Sequence, residues 1–127
     1  MRYFQIAFVF SLLFFCCNSA TDKFSETKIK FLTDTFDFGS IKKGDSAIAI
    51  FEYQNVGNYP LKIINIAPSC GCSKPVFDTT LIPIGSSKTF QLVYNSKDDT
   101  GYTLKSMVVE SNTKPRLKVL YIKGIVE

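Results

Sequence analysis

The sequence predicts an all-β chain folded as an antiparallel sandwich of about seven strands. Three observations predict it. Apolar and polar residues alternate with period two in short runs, and turn residues separate those runs at intervals of roughly ten to sixteen residues. Downstream of the N-terminal apolar run, no window sustains helical periodicity over about ten residues. Apolar residues make up 46% of the chain, with 12 Phe and 6 Tyr, a composition suited to pleated, half-buried surfaces. At 127 residues the chain supplies one domain and not comfortably two.

The first segment is an address rather than part of the fold. Met1-Arg2 is a short positive start, and Ile6 to Phe15 is apolar apart from Ser11. That run is too short to cross the ~30 Å hydrocarbon layer as a helix, and it fits the apolar region of a secretory signal. Cys16 and Cys17 follow at once, in a loose version of a bacterial lipoprotein signal, where cleavage precedes a cysteine that receives the lipid. Cys17 is the expected lipidation site, because the residue before it is small and cleavage there leaves no orphan thiol. Cys16 is the alternative lipid site, and cleavage after Ser19 or Ala20 with soluble secretion is the alternative fate. The expected organisation is a signal over 1–17, a flexible tether over 18–28 and the sandwich over 29–127. Export would place the domain in an oxidising, extracytoplasmic compartment of the cell envelope.

The strands follow in order. Ile29–Leu32 is a short candidate. Thr35–Ile41 puts Phe36 and Phe38 on one face, and Lys42–Asp45 turns the chain. Ser46–Gln54 is the clearest strand: Ala47, Ala49, Phe51 and Tyr53 share the core face, while Ile48 and Ile50 on the other call for partial cover. Asn55–Pro60 reads as turn chemistry. Leu61–Ala67 alternates and then loses phase, which predicts a bulge near Asn65. Val76-Phe77 is a brief edge segment. Ser87–Tyr94 points Phe90, Leu92 and Tyr94 one way. Asn95–Gly101, including Asp98-Asp99, reads as a solvated loop. Tyr102–Ser111 and Arg116–Val126 complete the set, with Leu120, Ile122, Gly124 and Val126 on one face of the last.

Composition also excludes functions. With no histidine in the chain, neither Ser-His-Asp nor Cys-His nucleophile systems can be assembled, and zinc sites that need imidazole are excluded. The net charge of +4 comes without a basic block, so no nucleic-acid partner is expected. The scattered glycines form no phosphate cradle, and no cofactor is expected.

The chemistry-bearing stretch is Pro68-Ser69-Cys70-Gly71-Cys72-Ser73-Lys74-Pro75. In an extended chain the two cysteine Cα atoms would lie about 6.6–7.2 Å apart, whereas a disulfide needs about 4.4–6.8 Å. A bend at Gly71 would close the gap. The small ring would add little stability, so a local loop lock is one reading. A redox-active dithiol, with Lys74 lowering a thiol pKa, is a second. Soft-metal binding, such as Cu(I) on two thiolates, is a third. No metal site is expected otherwise, and no catalytic residue is assigned.

The ordered fragments Phe36-Asp37-Phe38-Gly39-Ser40-Ile41, Phe51-Glu52-Tyr53-Gln54-Asn55-Val56-Gly57, Pro60-Leu61-Lys62-Ile63, Pro68-Ser69-Cys70-Gly71-Cys72-Ser73 and Ile82-Pro83-Ile84-Gly85 resemble one bacterial family. So do Gly44, Gly101, Ser111-Asn112 and Gly124. The family is the domain of unknown function numbered fifteen seventy-three. The resemblance runs over residues ~31–127. It implies an immunoglobulin-like sandwich akin to the modules of major sperm protein and ciliary proteins, in a family often exported as lipoproteins, and it implies no agreed activity. The expectation is therefore a non-catalytic binding or structural module. Its N-terminal lipid would hold it to the membrane, and it would meet a protein or polysaccharide partner.

Overall fold

The computed structural model describes residues 26–127. Eight strands make up the fold: β1 Ile29–Phe31, β2 Thr35–Ile41, β3 Ser46–Asn55, β4 Ile63–Pro68, β5 Ser73–Val76, β6 Ser87–Asn95, β7 Gly101–Ser111 and β8 Leu117–Val126. They form two four-stranded sheets, ordered β1-β3-β6-β5 and β2-β8-β7-β4. The signal segment and its cysteines, Cys16 and Cys17, lie outside the described residues.

Period-two alternation builds the core directly. Along β3 the residues Ala49, Phe51 and Tyr53 are buried, and they oppose Leu92, Phe90 and Lys88 of β6. From the second sheet come Ile63, Ile66, Met107, Val109, Leu120, Ile122 and Val126. Phe51 stacks on Phe90 with centroids 5.3 Å apart, and Phe36 reaches it from β2 at 6.2 Å. Gly124 is a packing glycine. A Cβ there would collide with the Phe38 ring and the Gly39 carbonyl, and Phe38 stacks on Tyr94 at 5.3 Å.

The all-β sandwich stands, and the structure sharpens its details. The strand count is eight, because the brief segment expected at Val76-Phe77 is a four-residue edge strand, β5, that starts at Ser73. The sandwich is not wholly antiparallel: β2 pairs in parallel with β8. The Lys42–Asp45 turn carries the chain from the second sheet to the first, so β2 and β3 face each other instead of forming a hairpin. Ahead of β1, Thr27 is buried, forms a parallel bridge with Thr113 and donates its Oγ1 to Asn55 Oδ1. Finally, Ile48 and Ile50 are not covered, at 55% and 50% exposure. The phase break in β4 is a register shift between Ile63 and Asn65, beside the expected position.

The molecule has two distinct ends. Thr27, the β3–β4 loop and the β7–β8 turn meet at one of them. The β2–β3 turn and the β6–β7 turn lie at the other, joined by Ser96 Oγ, which donates to the Lys42 and Asp45 carbonyls and accepts from Gly44 N.

Candidate functional site

Cys70 and Cys72 lie where the chain crosses between layers. β4 leaves the second sheet at Pro68 and β5 joins the first at Ser73. The crossing is clamped on both sides. Ser69 N donates to Ser106 O at 2.9 Å and Ser106 N donates to Ser69 Oγ at 3.3 Å, while Asn95 N donates to Cys72 O at 2.8 Å. The two sulfurs are bonded, with the Cα atoms 5.3 Å apart. Gly71 is exposed, has no positive φ, and would accept a Cβ without contact. The bend therefore needs neither a left-handed backbone nor the space that glycine leaves.

The sulfurs differ in setting. Cys72 packs against the core, and both Sγ atoms lie within 4.0 Å of the Ser73 hydroxyl. Lys74, expected beside the thiols, is exposed, whereas Ser73 turns inward and is buried. Alternation along β5 sends them to opposite faces, so the side chain at the sulfurs is Ser73. Among the described residues no group of three or more Cys, Asp or Glu is arranged to hold a metal ion.

Near this crossing sits a polar network that the sequence reading missed. Tyr94 OH donates to Asp99 Oδ2 at 2.5 Å, and Lys105 Nζ pairs with Oδ1 at 3.0 Å. Asp99 is thus no solvated loop residue. The Tyr94 hydroxyl first, and then Lys105, hold its carboxyl below the usual range. The signal lay in β7, where Lys105 occupies the inward phase of Thr103, Met107 and Val109. A lysine in a core-facing phase calls for a carboxylate.

Burial, reinforced by Asp99, pushes the Tyr94 hydroxyl up to about 12; burial, with a smaller effect of Asp78, does the same to Tyr53. The folded state thus holds these two protons more tightly than the unfolded chain does. Their contribution to stability is full below the ordinary value of 10.0 and falls as pH rises toward 12. Far-ultraviolet circular dichroism and tyrosinate absorbance should change together in that window. Complete unfolding on raising the pH before 10.0 is reached would contradict the assignment.

Asn55 lies in a run whose composition predicts a turn, yet it is fully buried. Its Nδ2 donates to the Tyr59 and Ile82 carbonyls at 2.7 and 3.1 Å, and its Oδ1 accepts from Thr27 Oγ1 and Gly57 N at 3.0 and 3.1 Å. It ties four segments together at the end where the chain enters.

Both sheets leave apolar outer faces. The first carries Ile48, Ile50 and Val76; the second carries Tyr102, Leu104, Leu117, Val119, Tyr121 and Ile125. In the second, register sets Tyr102 against Ile125 and Val108 against Val119, with Lys123 opposite Leu104, Ser106 opposite Tyr121 and Glu110 opposite Leu117. No helix among the described residues is long and apolar enough to cross a membrane.

Comparison with solved structures gives the fold. A protein of unknown function from Porphyromonas gingivalis W83 superposes with a TM-score of 0.69 at 18% identity, over 79% of this chain and 47% of that one. The chain thus spans about half of that protein's length. The ASH / PapD-like domain 7 of human CEP192 superposes with a TM-score of 0.64 at 12% identity, over 80% of this chain and 87% of that one. The secreted serine protease VesC of Vibrio cholerae gives 0.59 at 15% identity, over 79% of this chain and 23% of that one. At such identities the likeness is one of fold, an immunoglobulin-like sandwich of the PapD and ASH kind. No curated protein sequence matches the chain. The family model described as "Protein of unknown function (DUF1573)" matches residues 29–126, nearly the whole described fold, and the chain belongs to that family.

Proposed function

We propose that this protein is an exported, lipid-anchored, non-catalytic immunoglobulin-like module of the cell envelope. Its anchor is a lipid on Cys17, with Cys16 as the alternative, and it presents a sheet face to a protein or polysaccharide partner. One observation carries the reading: the outer face of β7 and β8 holds Tyr102, Leu104, Leu117, Val119, Tyr121 and Ile125 in the open. Apolar side chains exposed together on one sheet face support a site of interaction, and exposed tyrosines suit both protein and sugar partners.

Two measurements test it. Intact mass spectrometry of the chain taken from its native membrane should show a lipid on an N-terminal cysteine; an unmodified chain starting near Ala20 would remove the anchor. A photo-reactive side chain at Ile125 should cross-link the partner in cells. The Val119→Lys/Tyr121→Lys variant should keep its fold and lose more than about tenfold of that product. Unchanged cross-linking would remove the face as the binding surface.

A second reading rests on the Cys70–Cys72 bond, whose turn has an exposed middle residue. A protein dithiol could reduce it, passing two electrons and two protons to yield the Cys70 and Cys72 thiols and a disulfide in the donor. The reduced pair is also the only candidate, among the described residues, for a soft ion such as Cu(I). If the Cys70→Ser/Cys72→Ser variant keeps its partner and its cellular role, this reading falls.

A further inference from the structure

The end at which the chain enters the fold has its own surface chemistry. Two adjoining open grooves, each of about 460 Å³, flank Thr27 and share Lys28, Val56 and Lys114. Pro115, Leu117 and Lys118 extend the lining of one, and Tyr59 closes the other. Val56, Tyr59 and Leu117 are exposed, as is Ile84 in the nearby β5–β6 loop. Lys118 is paired with Asp34 at 3.5 Å, but Lys28, Lys62 and Lys114 make no ion pair among the described residues. The opposite end differs. Its turns, 42–45 and 96–100, carry no exposed large apolar residue.

We infer that this end is a membrane-docking surface, with Lys28, Lys62 and Lys114 meeting anionic lipid headgroups while Val56 and Tyr59 enter the interface. The inference rests on the anchored reading above and deepens it. Residues 18–25 separate Cys17 from the first described residue. Fully extended they reach about 28 Å, and as a flexible coil about 16 Å. The domain is about 35 Å long, judged from β7. A lipid on Cys17 therefore brings this end, not the turn-rich opposite one, against the bilayer. Interspersed lysines, an aromatic ring and apolar side chains are the composition that seats in a headgroup layer, and Lys28, Lys62 and Lys114 outnumber the exposed Glu26 of the same end, so the charge is complementary to anionic lipid.

Lysine acetylation footprinting of the full mature chain tests this on vesicles of phosphatidylcholine alone or mixed with phosphatidylglycerol, beside its intact mass. In the anionic vesicles, Lys28, Lys62 and Lys114 should be protected about fivefold relative to Lys42 and Lys43. In the Lys28→Glu/Lys114→Glu variant, both sites being exposed, Lys62 should lose that protection. A lipidated chain whose two ends react alike in both vesicles overturns the docking surface and leaves the anchor standing. A chain without lipid that is still protected by anionic vesicles supports the surface and overturns the anchor. Protection of Lys62 that survives the double charge reversal also overturns the surface.

Discussion

Asn55→Asp is expected to remove about 3–5 kcal/mol of stability, the usual cost of stranding an uncompensated charge in a buried site. The substitution keeps the shape and changes only hydrogen-bond polarity. The Nδ2 that donates to Tyr59 O and Ile82 O becomes an oxygen facing two carbonyl oxygens, at a residue with 0% exposure. A carboxylate there loses two donors and gains no cation. For a domain of this size such a loss lowers the midpoint of thermal unfolding by about 15–30 °C, against a total stability of about 5–15 kcal/mol. The exposed neighbour Asn58 is the control, and Asn58→Asp should stay within about 0.5 kcal/mol. Both are read by thermal and urea unfolding. Equal effects at the two positions would mean that Asn55 is a solvated turn residue, as its sequence context first indicates.

Phe51→Ala should cost about 3–5 kcal/mol, because the ring is enclosed on every side and its removal leaves a cavity. It lies between Phe90 of its own sheet and Phe36 of the other, so the loss spans both layers. The adjacent residue offers an internal comparison. Ile50 is on the outer face at 50% exposure, and Ile50→Ala should cost less than about 1 kcal/mol in the isolated protein. The contrast between neighbours reads the alternation of β3 directly. If Ile50→Ala proved as damaging as Phe51→Ala, the strand would be covered on both faces, and the two-layer description would fail.

The sequence made most strands legible because one face of each is buried and the other is not. β2, β3, β6, β7 and β8 all alternate, and period two leaves few other solutions. β5 was misplaced because it is four residues long and contains Pro75, so it carries too little pattern to show itself. Pairing direction was not legible either. Alternation says which residues face inward but nothing of which strand lies alongside, so the parallel β2–β8 pair could not be foreseen. The cysteine pair stands out in the sequence because its spacing is local. Asn55 and Asp99 were hidden because their partners lie elsewhere: Thr27 and Ile82 for the one, Tyr94 and Lys105 for the other. Outside its fold, a polar residue in a Gly- and Asn-rich run is indistinguishable from a loop residue.

The order β2-β8-β7-β4 places the last strand of the chain inside its sheet, flanked by one of the earliest. A nascent polypeptide that lacks residues 117–126 has no partner for β2 and no outer neighbour for β7. Without them the core lacks Leu120, Ile122 and Val126, and β2 is left unpaired while β4 and β7 face the first sheet. Contacts this distant along the chain close slowly, so the β2–β8 pairing is expected to form late in folding.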